Sequence, residues 1–151
     1  MIRCIIYEVY PLVECNYPMR FDILTIFPKI FSGPGGYFSH SLMARAQKKR
    51  LIRIVVHDLR KWATDKHKTV DDRPYGGGVG MVMKVEPIAR AIEQVKSEDP
   101  SVRTIYLTPE GKPLNQEMAR QLSSRSHLIL LCGRYEGVDE RVRELFVDEE
   151  I

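Results

Sequence analysis

The chain is poor in the residues that build covalent or metal-held scaffolds. Only three cysteines occur in its 151 residues, Cys4, Cys15 and Cys132. Their number is odd and none forms a CxxC pair, which argues against a disulfide framework or a structural zinc site. The four histidines, His40, His57, His67 and His127, show no partner spacing. None is read as a metal ligand, and His127, at the entrance of a strand, is expected on the solvated surface. Long apolar runs are also missing. The longest, Leu128–Cys132, has five residues, against the ~20 that a membrane-spanning helix needs. The glycine run Gly76-Gly77-Gly78-Val79-Gly80-Met81 lacks the Lys-Ser/Thr ending of a P-loop, which disfavours nucleotide hydrolysis. A reducing cytoplasm and no membrane partner are the resulting expectations.

What remains is ordinary in amount and uneven in distribution. Hydrophobic residues make up 44% and charged residues 28% of the chain, with a net charge of +3. These are values of a soluble globular domain, and the length fits one domain with a sizeable core. Arg45 to Arg73 carries ten lysines and arginines against four acids, whereas Arg134 to Ile151 carries three against seven. A basic segment of that density suits a phosphate-backbone partner. It equally suits a solvated helix face.

Read in order, the chain alternates strand and helix signals. Residues 1–18 have one arginine, a short apolar patch broken by Glu8, and no small-residue cleavage site, so they do not read as a signal peptide. Phe21–Phe27 reads as a strand stopped by Pro28. Ser39 is the expected N-cap of a helix over Ser41–Lys49, and Ile52–Leu59 is a second strand. Arg60–Met83 reads as a long irregular segment, and loops of that length are usually functional. Val85–Ser97 places Ile88, Ala91, Ile92 and Val95 on one helical face. Val102–Leu107, a helix opened by Asn115, and His127–Cys132 follow. The pattern predicts an α/β fold with a mostly parallel sheet and flanking helices.

The organising stretch is Leu128–Val142, LILLCGRYEGVDERV. A continuous apolar run that stops at a glycine reads as a strand buried on both faces. Ligands of such sheets bind just past the carboxyl ends of the strands. Gly133 and Gly137 permit positive φ or close backbone approach, and Tyr135 offers a stacking face. On spacing alone, a plain strand-to-helix turn fits as well.

Three motifs together go further. GRYEGVDERV at 133–142, RPYGGGVGM at 73–81 and YLTPEG at 106–111 resemble, in content and order, the bacterial tRNA (guanine-N1)-methyltransferase family. The likeness runs from Met19 to Ile151, with Val79 where family members often carry proline. It implies a SPOUT-class, trefoil-knot α/β domain. It implies methyl transfer from S-adenosyl-L-methionine to N1 of the guanine 3′ of the anticodon in tRNA, by a homodimer whose cleft is shared between subunits. The residues matching the cofactor cleft are Tyr106, Leu107, Thr108 and Pro109 at one strand end, with Gly133, Tyr135, Glu136 and Gly137 at the next. Glu136 is expected near the methionine end of the cofactor. Gly77, Gly78, Gly80, Met81 and Arg134 match the region that receives the target guanine. No metal ligand is implied.

The likeness also leaves family parts without a counterpart. Residues 1–18 are expected to be an upstream extension, with Met19 as the natural start; the alternative is an extra strand. A glycine-rich segment completing the knot and cleft, and a helical C-terminal domain carrying the general-base aspartate, are not matched before Ile151. No catalytic residue is therefore assigned, neither Asp71 nor Asp148. The chain is expected to be a partial form, inactive by itself. The competing expectation is a non-catalytic RNA-binding fragment that uses residues 45–73.

Overall fold

The computed structural model describes residues 19–74 and 76–151; the expectations for residues 1–18 and for Tyr75 lie outside them. Five strands form one sheet. They are β1 (Met19–Thr25), β2 (Ile52–Asp58), β5 (Arg103–Leu107), β6 (His127–Cys132) and β7 (Glu149–Glu150), in the order β2-β1-β6-β5-β7. Every neighbouring pair is parallel. Strands β3 (Asp71–Asp72) and β4 (Val82–Met83) make a separate antiparallel pair. Helices α1 (Pro28–Phe31), α2 (Ser41–Lys48), α3 (Val85–Glu98), α4 (Gln116–Ser123) and α5 (Glu140–Phe146) lie between the strands.

The central position of β6 follows from its composition. His127–Leu131 are buried or nearly so, which only a strand flanked by two others and covered on its faces tolerates. Pro87, Ile88, Ala91, Ile92 and Val95 of α3 are buried, so the face read from the periodicity is the one that packs. Ile88, Ala91, Ile92 and Val95 meet Leu24, Leu59, Met83, Ile129, Leu131 and Val142 in one core. Each fully buried aliphatic side chain contributes roughly 1.5–3 kcal/mol. Asn115 caps α4 by accepting from the Met118 N–H at 2.9 Å, and Asp139 caps α5 by accepting from the Arg141 N–H.

Several expectations are corrected. Ser39 caps nothing: its hydroxyl donates to the Gly33 carbonyl, and His40 holds the N-cap position of α2 without a side-chain cap. The segment after β2 is not irregular throughout. It contains a 3₁₀ turn at Leu59–Trp62 and the β3–β4 pair. Edge strand β7 carries two glutamates and no apolar run, so nothing in its pattern marked it. His127 is only 4% exposed, not solvated. Its Nε2 meets Asp22 and its Nδ1 meets Asp99. His57 is likewise partnered, with Asp22.

Candidate functional site

Parallel pairing fixes where the site lies. Tyr106 is in register with Leu131 and Leu107 with Cys132, so the turns leaving β5 and β6 emerge side by side. Tyr106, Leu107, Thr108 and Pro109 from one turn and Gly133, Tyr135, Glu136 and Gly137 from the other line a single cavity of about 560 Å³. That volume lies within the range of small-molecule sites. Arg134, Glu110, Glu140 and Arg143 line it as well.

Tyr106 forms the floor and explains both glycines. Its ring is 4% exposed. A Cβ on Gly133 would stand 2.9 Å from the ring's Cε2, and one on Gly137 would stand 3.3 Å from its Oη. Gly133 is thus needed for clearance. Gly137 also has φ +119°, which L side chains avoid. The turn closes with the Gly137 N–H donating to the Arg134 carbonyl at 3.2 Å. Between them Tyr135 sits at φ 62° with its ring about half exposed at the mouth.

The glycine run reaches the same turn from the other side. The Glu136 N–H donates to the Met81 carbonyl at 3.0 Å, the Met83 N–H to Gly137 at 2.9 Å, and the Asp139 N–H to Met83 at 3.0 Å. Gly80 lies against the Glu136 side chain so closely that a Cβ would come within 2.5 Å of its Cγ. Gly80 and Met81 are therefore brought to the cavity's rim. Gly77 and Gly78 are not: the first faces open space and the second lies over Pro74. Arg134 places its guanidinium 5.6 Å from the centre of the Phe27 ring, within cation–π range. Phe27, read from sequence as the last residue of the first strand, instead lies two residues beyond β1 and is 42% exposed; it was missed because an aromatic closing a strand reads as core.

The charge of the lining is mixed with acid in excess. Glu110, Glu136 and Glu140 face Arg134 and Arg143. No carboxylate of the two aspartates considered from sequence stands in the cavity lining. Asp148 accepts the Thr104 N–H at 2.7 Å and pairs with Lys96. Asp71 belongs to β3.

The basic segment does not form one footprint. Lys48, Lys49 and Arg50 immediately precede β2, at the amino end of the parallel sheet. Arg60 and Lys61 follow β2 directly, in the 3₁₀ turn at its carboxyl end. A second cavity of about 490 Å³ opens at this end beside Trp62, with Arg73, Lys84, Arg90 and Arg141 among its walls, interleaved with Asp65, Asp72, Glu86 and Asp139. Among the described residues no helix is long and apolar enough to cross a membrane.

Comparison with known proteins adds a family to this geometry. The family model described as tRNA (Guanine-1)-methyltransferase TrmD matches residues 19–151. A tRNA (guanine-N(1)-)-methyltransferase of Citrifermentans bemidjiense is 56% identical over 133 residues, covering 88% of this chain and 52% of the relative. One from Chloroflexus aggregans is 56% identical over 134 residues, covering 88% and 51%. The crystal structure of tRNA (m1G37) methyltransferase from Aquifex aeolicus superposes with a TM-score of 0.79 at 41% identity, covering 89% of this chain and 59% of that one. The chain spans about half the length of the curated relatives it matches.

Proposed function

This chain belongs to the tRNA (guanine-1)-methyltransferase family, and on that premise we propose that its 560 Å³ slot holds S-adenosyl-L-methionine for methylation of a tRNA guanine at N1. The observation that carries this reading is the convergence of the β5 and β6 turns, with the glycine run at their rim. When bound, the cofactor supplies an electrophilic methyl group on a sulfonium; the protein's task is placement and electrostatics.

The residues present suit that group. An acid-rich lining fits a cationic ligand, and Glu136 is the acid nearest both the β6 turn and Gly80. Backbone groups of Leu107–Pro109 and Gly133–Gly137 would approach an adenosine over the Tyr106 floor, where Gly133 and Gly137 add no side chain. Gly80, Met81 and Arg134 stand where a guanine presented to the slot would pass. The target base is the guanine 3′ of the anticodon, methylated at its N1. It must leave its stack, at a cost of a few kcal/mol, and Arg134 and the exposed rings of Phe27 and Tyr135 offer contact faces for it. Phosphate contacts from Lys66, Lys68, Arg73 and Arg141 would set the register of the tRNA without reading sequence. We place the reaction in the cytoplasm and between two copies of the chain.

The test is calorimetric titration with S-adenosyl-L-methionine and S-adenosylhomocysteine, together with amide chemical-shift mapping. Shifts confined to residues 106–110, 133–138 and 80–81 are the expected result. Shifts centred on the second cavity, or none at millimolar ligand, overturn the reading.

A further inference from the structure

The two lips of the slot belong to different elements, and besides the Tyr106 floor a charged side chain reaches from one toward the other. Arg143 sits on α5, the helix that continues from the β6 lip. Its Nε and Nη2 donate to the two carboxylate oxygens of Glu150, each at 2.8 Å. Its Nη1 donates to Glu140 at 3.0 Å and to Glu110, in the β5 lip, at 3.3 Å.

The β5 lip needs outside support. Its turn has one internal backbone bond, from the Gly111 N–H to the Thr108 carbonyl at 3.1 Å. A longer contact, 3.4 Å, joins the Glu110 N–H to the Thr108 hydroxyl, and the other bonds run to β7 and Ile151. The Thr108 N–H donates to Ile151, the Lys112 N–H to Glu150, and the Ile151 N–H back to Tyr106. Gly111 is pressed flat on Ile151, where a Cβ would come within 2.5 Å of the backbone. The lip is therefore only as fixed as β7. Among the described residues that strand pairs with β5 alone.

We propose that Arg143 is a positioning residue of the slot, clamping β7 and through it the Thr108–Gly111 lip at its working distance from the Gly133–Gly137 lip. The inference rests on the reading of the slot as the cofactor site, but its mechanical half does not. The bidentate pair with Glu150 carries the effect. Both side chains are 26% exposed, whereas Glu140 and Glu110 are 63% and 73% exposed and add little. A lysine keeps the charge and loses the planar fork. The substitution Arg143→Lys thus separates geometry from electrostatics.

Amide hydrogen exchange on the 151-residue chain, in the wild type, Arg143→Lys and Glu150→Gln, tests it, with S-adenosylhomocysteine affinity measured in parallel. In either variant the Thr108 and Lys112 amides should exchange about tenfold faster, the scale of one lost charge-assisted hydrogen bond, while Ile129–Leu131 amides stay protected. Affinity should fall by a similar factor, and the double variant should be no worse than either single one. Unchanged lip exchange overturns the proposal, as does uniform acceleration across the sheet, which would mean plain destabilisation. If the wild type binds no S-adenosylhomocysteine while the lip still loosens, the clamp stands and the cofactor reading falls.

Discussion

The Nε2 of His127 lies 2.6 Å from Oδ2 of Asp22, across 105 residues of sequence and with both side chains almost fully buried. The same carboxylate takes the Arg20 guanidinium and the His57 ring, and the far side of the His127 ring meets Asp99 at 2.9 Å. This cluster ties β1, β2, β6 and the end of α3 together, from His127 at the start of β6 through Asp22 in the middle of β1 to His57 near the end of β2.

Removing the centre of that cluster should be costly. Burial pushes the Asp22 carboxyl up, but hydrogen bonds from His127, His57 and Arg20 outweigh it and hold the group well below the ordinary carboxylate range. Its stabilising contribution is therefore complete above about pH 4, the unfolded value, and is lost as pH falls further toward the depressed folded value. Asp22→Asn should destabilise the chain by about 3 kcal/mol or more at pH 7, because it leaves buried donors without their charge partner. It should also flatten the loss of stability below pH 4. Urea unfolding at pH 7 and at several acid values measures both. A loss under about 1 kcal/mol, or an unchanged acid slope, would show that the cluster is energetically neutral.

This cluster marks where sequence reasoning ran out. The strand read at Phe21–Phe27 was legible from its apolar residues before Pro28, though it runs Met19–Thr25, and His127–Cys132 was legible because its apolar run stops at Gly133. Helix α3 was legible because Ile88, Ala91, Ile92 and Val95 repeat at helical spacing. Asp22 and His127 follow no local period: each is polar because of a partner some hundred residues away. The slot was readable from motif content, since GRYEGVDERV and YLTPEG end adjacent strands. Arg143 and Glu150 were not, because a charged helix and an acidic tail look like solvated surface until β7 pairs with β5.

The floor of the slot makes a second prediction. Gly133 is not at positive φ among the described glycines, so Gly133→Ala carries no backbone strain. Its only fault is the methyl at 2.9 Å from the Tyr106 ring. Tyr106 must then tilt into the cavity. The expected outcome is a thermal midpoint lowered by a few degrees, for a cost of about 1 kcal/mol, and at least a tenfold loss of S-adenosylhomocysteine affinity by calorimetry. Unaltered affinity would mean that the ring is not part of the binding surface.

Cys132 stands at the last position of β6, directly before this turn, yet it should be chemically quiet. Burial pushes its thiol up to about 11, so almost none is thiolate at neutral pH, and the thiolate is the nucleophile. Alkylation with iodoacetamide at pH 7.5, followed by peptide mass mapping, should leave Cys132 unmodified in the folded chain and modify it in urea. Rapid labelling under native conditions would contradict the burial that sets this value.

The glycine run offers the sharpest separation of strain from contact. Gly77 and Gly80 have nearly the same backbone, φ +85° and +94°, but a Cβ at Gly77 meets nothing within 4 Å while one at Gly80 meets Glu136 at 2.5 Å. Alanine at either site incurs a backbone penalty of order 1–3 kcal/mol. Only alanine at Gly80 must also displace the Glu136 side chain from the rim of the slot. Gly77→Ala and Gly80→Ala should therefore lower stability in urea by similar amounts. Affinity for S-adenosyl-L-methionine should fall about tenfold in Gly80→Ala alone, equivalent to some 1.4 kcal/mol. A further Glu136→Ala substitution should abolish that difference, because the displaced group is then gone. Equal affinities in the two single variants would show that Glu136 does not contact the cofactor, and would leave the glycine run as a hinge whose conformation matters only for stability.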